Sequence, residues 1–428
     1  MLRWLNRMFG VHPEEYRVLG WAWSYIFCLL ASYYILRPIR DEMGVSGGVE
    51  NLQWLFTGTL AGMLAANPTF AALVARLPRA RFIAVTYRFF IVNLLLFALL
   101  FKLATTAQTV WIGRVFFIWV SVFNLFVVSV FWELMVDVFD SEQSKRLFGF
   151  IAAGATMGGI VGSSITAAIA KQVPVSFLLL GSAAVLELSV LCVRRMSHLS
   201  VALQRRPEAN DERRIIGGSA LSGVTHAMSS PYLIHVGVYI LLFSITSTFL
   251  YFQQADIVRQ NFVDRGARTA FFARIDLWVN VLTLGVQLFL TRHVLRLMGV
   301  GLTLAALPAL SIAGFGSLAA APSLAALVTY QILRRAGNFA LARPAREVLF
   351  TVVPREDKYK AKNFIDTVVY RIGDQIGAWC FAGLGLLGIG LTGVSVAAVP
   401  FAMGWLLNGL WLGRRQKLMA AAQPLETN

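Results

Sequence analysis

Charge is scarce in this chain. Asp, Glu, Lys and Arg together make up 14% of 428 residues, and only three cysteines and five histidines occur. Cys28, Cys192 and Cys380 all fall in apolar runs, with no metal-like spacing and no outer loop to staple. That pattern excludes a disulfide framework and a metal site and leaves the thiols as packing residues. His12, His198, His226, His235 and His293 lie mostly near loops and form no zinc motif. With no nucleophile elbow and no soluble catalytic domain either, a membrane-embedded enzyme is not expected: the sequence offers no catalytic residue, no cofactor and no metal. The glycines of GFIAAGATMGGIVGSS (Gly149, Gly154, Gly158, Gly159, Gly162) lack the Lys followed by Ser or Thr of a phosphate loop. They recur at helical small-residue spacing, which predicts close helix packing. No cleavable signal is expected, because Arg3, Arg7, Glu14, Glu15 and Arg17 interrupt the first twenty residues. MLRWLNRMFG reads instead as an amphipathic segment lying on the inner membrane surface.

What is abundant is apolar: 57% of the residues are hydrophobic, in blocks of about twenty. About twenty apolar residues span the hydrocarbon core as a helix, which satisfies its own backbone hydrogen bonds there. A strand barrel would read as short alternating segments instead. The expected fold class is therefore an all-α integral membrane protein. Twelve spans are predicted, near 18–38, 52–75, 82–103, 108–136, 147–170, 174–193, 232–253, 270–291, 299–319, 323–350, 364–388 and 391–412.

The formal charge of +16 comes from 38 bases against 22 acids and could suggest nucleic acid. The bases sit in short loops biased to one side of the predicted spans, however, which orients both termini toward the cytoplasm of a bacterial inner membrane. No nucleic-acid partner is expected, and the high pI adds attraction to anionic membrane lipid. One long loop rich in both charges, 194–231, divides the chain into halves 1–193 and 232–428. Asn124, Glu133, Glu142, Arg146 and Gly159 recur as Asn338, Glu347, Glu356, Lys360 and Gly373, all 214 residues later. Basic loops also follow the second span of each half: Arg76, Arg79 and Arg81 in one, Arg292 and Arg296 in the other. Two parallel six-helix pseudo-repeats describe the major facilitator architecture, with a solute site expected between them near the midplane.

An ionisable residue at the bilayer centre costs about 3 kcal/mol on insertion scales, so each needs a partner, a watery cavity or a task. Predicted spans carry many, among them Arg88, Arg114, Glu187, Arg274, Asp276, Arg334 and Arg335. Glu133 and Asp137 share a helix face four residues apart, which suits proton coupling, whereas Asp137 can equally cap the next element or pair with Lys145. In RRAGNFALARPAREVLF, Arg343 and Arg346 can hold phosphate or carboxylate, or Arg343 can pair with Glu347 as a gate. Pro344 frees a carbonyl one turn earlier and can kink the helix. Arg371 and Asp374 are predicted to pair, Asp276 and Asn280 to line a cavity, and Glu187 to pair with Arg194. At the end of the first span, LRPIRDEMGVSGG has two readings. It is either a wet helix end stopped by Gly44, or part of a site.

Three blocks shift the balance toward a site for Arg40 and Asp41 while leaving Arg37 and Glu42 open to either reading: YYILRPIRDEMGVSGGVENLQWLF, FWELMVDVFDSEQSKRLFGFIAAGATMGG and ALARPAREVLFTVVPREDKYKAKNFIDTVVYRIGD. Together they resemble the bacterial and plastid ATP/ADP translocases, a family related to the major facilitators, and do so in both halves and in the same order. The resemblance implies that Arg40 and Asp41 are the Arg-Asp pair after span 1, and Glu50 the acid of a Gly-Ala-Glu segment. It also maps Phe131, Trp132, Glu142, Lys145 and Arg146 in the first half, and Pro344, Glu347, Lys362, Ile365, Asp366, Arg371 and Gly373 in the second. Phe56 and Asp374 stand where the family has lysines, Arg343 where it often has Asp, and Arg346 where it has Lys.

The expected function is secondary active transport, ATP:ADP antiport or a related exchange of an anionic solute, by a monomer using alternating access. Substrate contacts are expected from Arg40, Asp41, Asn124, Asn338, Arg343 and Arg346. Gating or proton coupling is expected from Glu133, Asp137, Glu347, Asp366, Arg371 and Asp374, with the loops after spans 4 and 10 latching the cytoplasmic face. The alternatives are a proton-coupled transporter or exporter of another organic anion, and a sensor that binds without transporting.

Overall fold

The computed structural model describes residues 11–12, 15–76, 79–203, 228 and 230–422. The expected surface segment 1–10 and most of the long loop lie outside the described residues, as do the side chains of Arg76, Arg79, Arg81, Lys145 and Glu356. What is described is helical, in the order α1 (Tyr16–Ser46), α2 (Leu52–Arg76), α3 (Arg79–Leu103), α4 (Thr106–Val138), α5 (Ser141–Ile169), α6 (Val175–Leu203), α7 (Pro231–Asn261), α8 (Arg265–Phe289), α9 (Thr291–Ala320), α10 (Leu324–Gly337), α11 (Arg343–Leu349), α12 (Arg355–Phe364), α13 (Tyr370–Leu386) and α14 (Leu391–Ala422). Among the described residues nine helices, α1, α3 to α9 and α14, are long and apolar enough to cross a membrane. Predicted span 52–75 is helical as α2. The stretches 323–350 and 364–388 are helical too, but each contains a wider-wound π turn, Asn338–Ala342 and Ile365–Val369.

The chain forms two compact units. One holds residues up to Asn210 together with Phe262–Val281, and the other holds Asp211–Asn261 and Leu282–Asn428. The first part of α8 thus belongs with α1 to α6.

In the first unit α1 is the spine, packed against α5 and α6. Without a hydrophobic force between helices in lipid, close approach depends on small residues. The glycine run of α5 supplies them: a Cβ on Gly158 would collide with the Phe27 carbonyl and the Ala31 amide, and one on Gly162 with the backbone of Ala31. Ser32 and Ser182 exchange a 2.8 Å hydroxyl contact where α6 crosses the same helix. Phe97, Phe116, Trp119 and Phe123 fill the space between α3 and α4, with ring centroids 5.2 to 6.1 Å apart in the stacked and edge-on pairs.

In the second unit α13 crosses α7 in the same manner. A Cβ on Gly373 would stand 2.9 Å from the Leu241 carbonyl, and one on Gly377 3.1 Å from the Ile245 carbonyl. Leu241 and Ile245 lie 214 residues after Phe27 and Ala31, the offset read from the sequence.

Prolines inside helices leave a carbonyl four residues back without its amide donor. Two such carbonyls are recruited by hydroxyls: Tyr239 Oη donates to Leu304 O at 2.9 Å below Pro308, and Thr291 Oγ1 donates to Ala340 O at 2.8 Å below Pro344. The π turn just before Pro344 is the local answer to the missing donor, since the Arg343 amide reaches back five residues to Asn338 O. In α9, Gly299 has φ 68°, a left-handed conformation that breaks the helix direction and that glycine adopts without a Cβ penalty.

Candidate functional site

The charged end of α1 is not wet. Helix α1 runs through Gly44, which packs on the Phe117 ring, and ends at Ser46 with Gly47 as its cap. Asp41 and Glu42 lie inside it, 6% and 1% exposed. This corrects both the reading of Gly44 as the stop and that of Arg37 and Glu42 as solvated. Glu42 accepts from Arg265 Nε at 3.1 Å and Nη2 at 3.2 Å, with Arg268 Nη2 at 3.7 Å. One turn and a half earlier, Arg37 Nη1 stands 3.6 Å from Asp276, which is 1% exposed. Arg40 clamps the neighbouring Asp41, with Nη2 at 2.6 Å, and lies over the Phe117 ring at 5.1 Å. Arg114 donates to Gly47 O at 2.9 Å. Asp276 and Asn280 are both buried, and the Asn280 amide bonds back to the Asp276 carbonyl.

Among the site residues of the second unit, Arg371 and Asp374 meet as their spacing predicts, at 3.0 Å, and Ser244 Oγ also donates to Asp374 at 2.6 Å. Glu347 does not pair with Arg343. It accepts from Lys362 at 2.5 Å, because the chain reverses between α11 and α12 and brings Lys362 back beside it. Arg343 is exposed and lies over Phe339 at 5.1 Å, while half-buried Arg346 makes no ion pair among the described residues. Asn338 opens the first π turn and Asp366 sits, exposed, in the second. In α4, Asn124 is half-buried and Glu133 and Asp137 are exposed. Glu187 pairs with Arg88 at 2.9 Å rather than with Arg194, since α3 packs beside α6. Cys380 is exposed, unlike buried Cys192.

At the start of α5, Asp140 caps the helix and Gln143 completes the capping box. Glu15, just ahead of α1, accepts from Gln143 Nε2 at 2.9 Å and Arg146 Nη2 at 3.0 Å. Burial pushes the Glu15 carboxyl up, but the His12 amide, Arg146 and Gln143 outweigh it and hold it below the ordinary glutamate value.

Sequence reasoning counted Arg334 among the charges inside spans but gave no role to what is the most deeply buried cation among the described residues. Arg334 on α10 is 3% exposed and held by Ser247 Oγ at 2.8 Å, Thr246 Oγ1 at 3.0 Å, Phe243 O at 3.1 Å and Ser311 Oγ at 3.3 Å. Its placement beside the RAGNF stretch was a signal, but no spacing rule ties it to hydroxyls on α7 and α9.

No family model matches the sequence. ADP,ATP carrier protein 1 of Chlamydia trachomatis is 20% identical over 490 aligned positions, covering 98% of this chain and 92% of that protein. Among solved structures, the xylose transporter XylE from E. coli, inward open, matches with TM-score 0.61 at 11% identity, over 91% of this chain and 95% of that one. The nucleoside transporter NupG matches at 0.52 and 16%, over 94% and 98%, and a bacterial homologue of the human lysosomal transporter Spinster at 0.51 and 14%, over 96% of each. The fold is that of a major facilitator transporter. In the major facilitator fold, buried charge inside apolar helices is exceptional unless it binds, couples or gates. The α1 and α8 set, Arg371 with Asp374, and Arg334 are the places where this chain concentrates it.

Proposed function

We propose that the protein is a secondary active transporter of a bacterial inner membrane that moves an anionic solute of nucleotide type by alternating access. In this reading it has twelve helices in two six-helix repeats, 1–193 and 232–428, with 194–231 as a cytoplasmic loop and both termini cytoplasmic. The observation that carries the reading is the excess of cationic side chains along apolar helices. Around α1, the four guanidiniums of Arg37, Arg40, Arg265 and Arg268 meet the three carboxylates of Asp41, Glu42 and Asp276. Surplus guanidinium in a low-dielectric setting favours phosphate or carboxylate. End-to-end likeness to an ADP,ATP carrier supports a nucleotide in particular.

Arg40 and Asp41 then shape the solute path from α1, Asn124 and Asn338 supply neutral hydrogen bonds, and Arg343 and Arg346 attract the anion. Asp137, Glu347, Asp366, Arg371 and Asp374 serve the gates, with Glu347 and Lys362 closing one and Arg371 and Asp374 another. The second reading, proton coupling, is favoured by one residue: Glu133 is an exposed carboxylate on an apolar helix that makes no ion pair among the described residues.

Purified protein in proteoliposomes, preloaded with ADP, is expected to accumulate labelled ATP or ADP by counterflow without a pH gradient. If folded protein exchanges no nucleotide but accumulates another organic anion only under a pH gradient, and Glu133→Gln abolishes that, the antiport reading is wrong and the proton-coupled one holds.

A further inference from the structure

Among the described residues the buried charges follow a rule with a single exception. Among the described residues the buried ionisable side chains include Glu15, Asp41, Glu42, Asp276, Asp374 and Arg334. Each of the five acids has an arginine: Glu15 has Arg146, Asp41 has Arg40, Glu42 has Arg265, Asp276 has Arg37 and Asp374 has Arg371. Arg334, the one buried cation, has no carboxylate within 4.0 Å.

Its surroundings solvate it without neutralising it. The guanidinium donates four hydrogen bonds, to three hydroxyls and one carbonyl, and lies over the rings of Phe243 at 5.0 Å and Trp405 at 5.8 Å. A guanidinium has five N–H donors, so one on Nη1 is left over. Two further buried donors stand in the same place with only long or bent contacts, Tyr330 Oη to Ser311 and Arg334 and Trp405 Nε1 to Tyr239. A positive charge without a carboxylate, ringed by a phenol and an indole N–H that are at most weakly engaged, is what an oxyanion needs and what a neutral solute does not. The aromatic walls of Tyr239, Phe243, Tyr330 and Trp405 are all buried, so the charge has no water to fall back on.

We propose that Arg334 is the binding residue for an anionic group of the transported solute, a phosphate or carboxylate, which docks from within the second unit and supplies the missing counter-charge, with Tyr330 Oη and Trp405 Nε1 donating to the same group. The inference rests on the anion-transport reading and names where in the chain the anion is held. It places the closest contact with the anion on α7, α9, α10 and α14, while the guanidiniums of α1 and of Arg343 and Arg346 attract it along its path.

The test uses the full-length purified protein and two readouts, thermal unfolding and equilibrium binding, with ADP, ATP, inorganic phosphate and citrate as probes. The wild type is expected to bind at least one of them and to unfold at a higher temperature in its presence. Arg334→Met and Arg334→Gln are expected to unfold without ligand at a temperature equal to or above the wild type, because a lone buried charge has been removed, and to lose at least a hundredfold in affinity. Arg334→Lys is expected to recover part of the binding, and Tyr330→Phe to weaken it about tenfold without lowering the unfolding temperature. If the wild type binds an anion and Arg334→Gln binds it equally well, the assignment of Arg334 is overturned while the transport reading stands. If Arg334→Met and Arg334→Gln unfold well below the wild type without ligand, the residue is a structural tie and the inference is equally overturned. If the wild type binds none of the probes, the anion reading itself fails and takes this inference with it.

Discussion

Val120 in α4 and Arg334 in α10 are separated by 214 residues, the offset that also relates Glu133 to Glu347 and Gly159 to Gly373. Both are buried. Val120 belongs to an apolar cluster with Phe116, Phe123 and Val127 of its own helix, and nothing there asks for charge. Around Arg334 stand three hydroxyls and a carbonyl. Two residues one offset apart thus present a methyl pair in one unit and a permanent cation in the other. The difference teaches that a close glycine crossing recurs in both units while their buried charges differ. Among the described residues the buried charges of the first unit are acids, each answered by arginine, while the second unit holds, besides the paired Asp374, a cation without a carboxylate.

The sharpest way to break this comparison is to exchange the two residues. Val120→Arg puts a guanidinium among aromatic rings without acceptors and is expected to destabilise by about 4 kcal/mol or more, seen as loss of folded protein on size exclusion. Arg334→Val is expected to leave folded protein. If both variants fold equally well, the asymmetry has no energetic basis.

The shared half of the comparison is tested at the crossings. Gly158→Ala in α5 meets backbone atoms of α1 that cannot rotate away, and a loss of about 2 kcal/mol is expected from the midpoint of unfolding. Gly373→Ala is expected to cost a similar amount at α7, whereas Gly149→Ala, with nothing within 4 Å, is expected to be neutral or to stabilise by up to ~1 kcal/mol. Equal effects at Gly149 and Gly158 would contradict the account of the crossing.

How much of this was legible beforehand follows sequence distance. The helices, the glycine crossing and the Arg371 to Asp374 pair were legible because each is a local pattern: an apolar run, a small-residue repeat, an i, i+3 spacing. The partners of Arg37 and Glu42 were not, because Asp276 and Arg265 lie more than two hundred residues away and no periodicity links them. Pro344 announced an irregular helix, but not that the backbone would slip into a π turn or that Thr291 would cap the freed carbonyl. Glu347 was offered Arg343, four residues earlier, as one of two readings and went instead to Lys362, across a turn whose geometry the sequence does not state. Of the candidate site, charge and residue type were readable, and mutual placement was not.

Smaller effects sharpen the account of the first unit. Glu42→Gln leaves Arg265 and Arg268 without their carboxylate. Since Arg265 is 38% exposed and partly screened, the expected loss is about 2 kcal/mol, and pairing it with Arg265→Gln is expected to restore part of it in a double-mutant cycle. A strictly additive pair would mean that the contact carries no energy.

The smallest effect concerns Glu15. Because its folded-state carboxyl titrates below the ordinary value of about 4.3, its contribution is complete above that pH and is lost as pH falls through the lower folded value. Unfolding measured across that acid range is expected to be less pH-dependent in Glu15→Gln than in the wild type.

The central claim is that the open cation of the second unit serves an anionic cargo. Counterflow of labelled ADP, measured side by side for wild type and Arg334→Gln in vesicles holding equal amounts of folded protein, tests it most directly. The account predicts accumulation by the wild type and none above empty vesicles by the variant. Equal accumulation by both, or none by either, would contradict it.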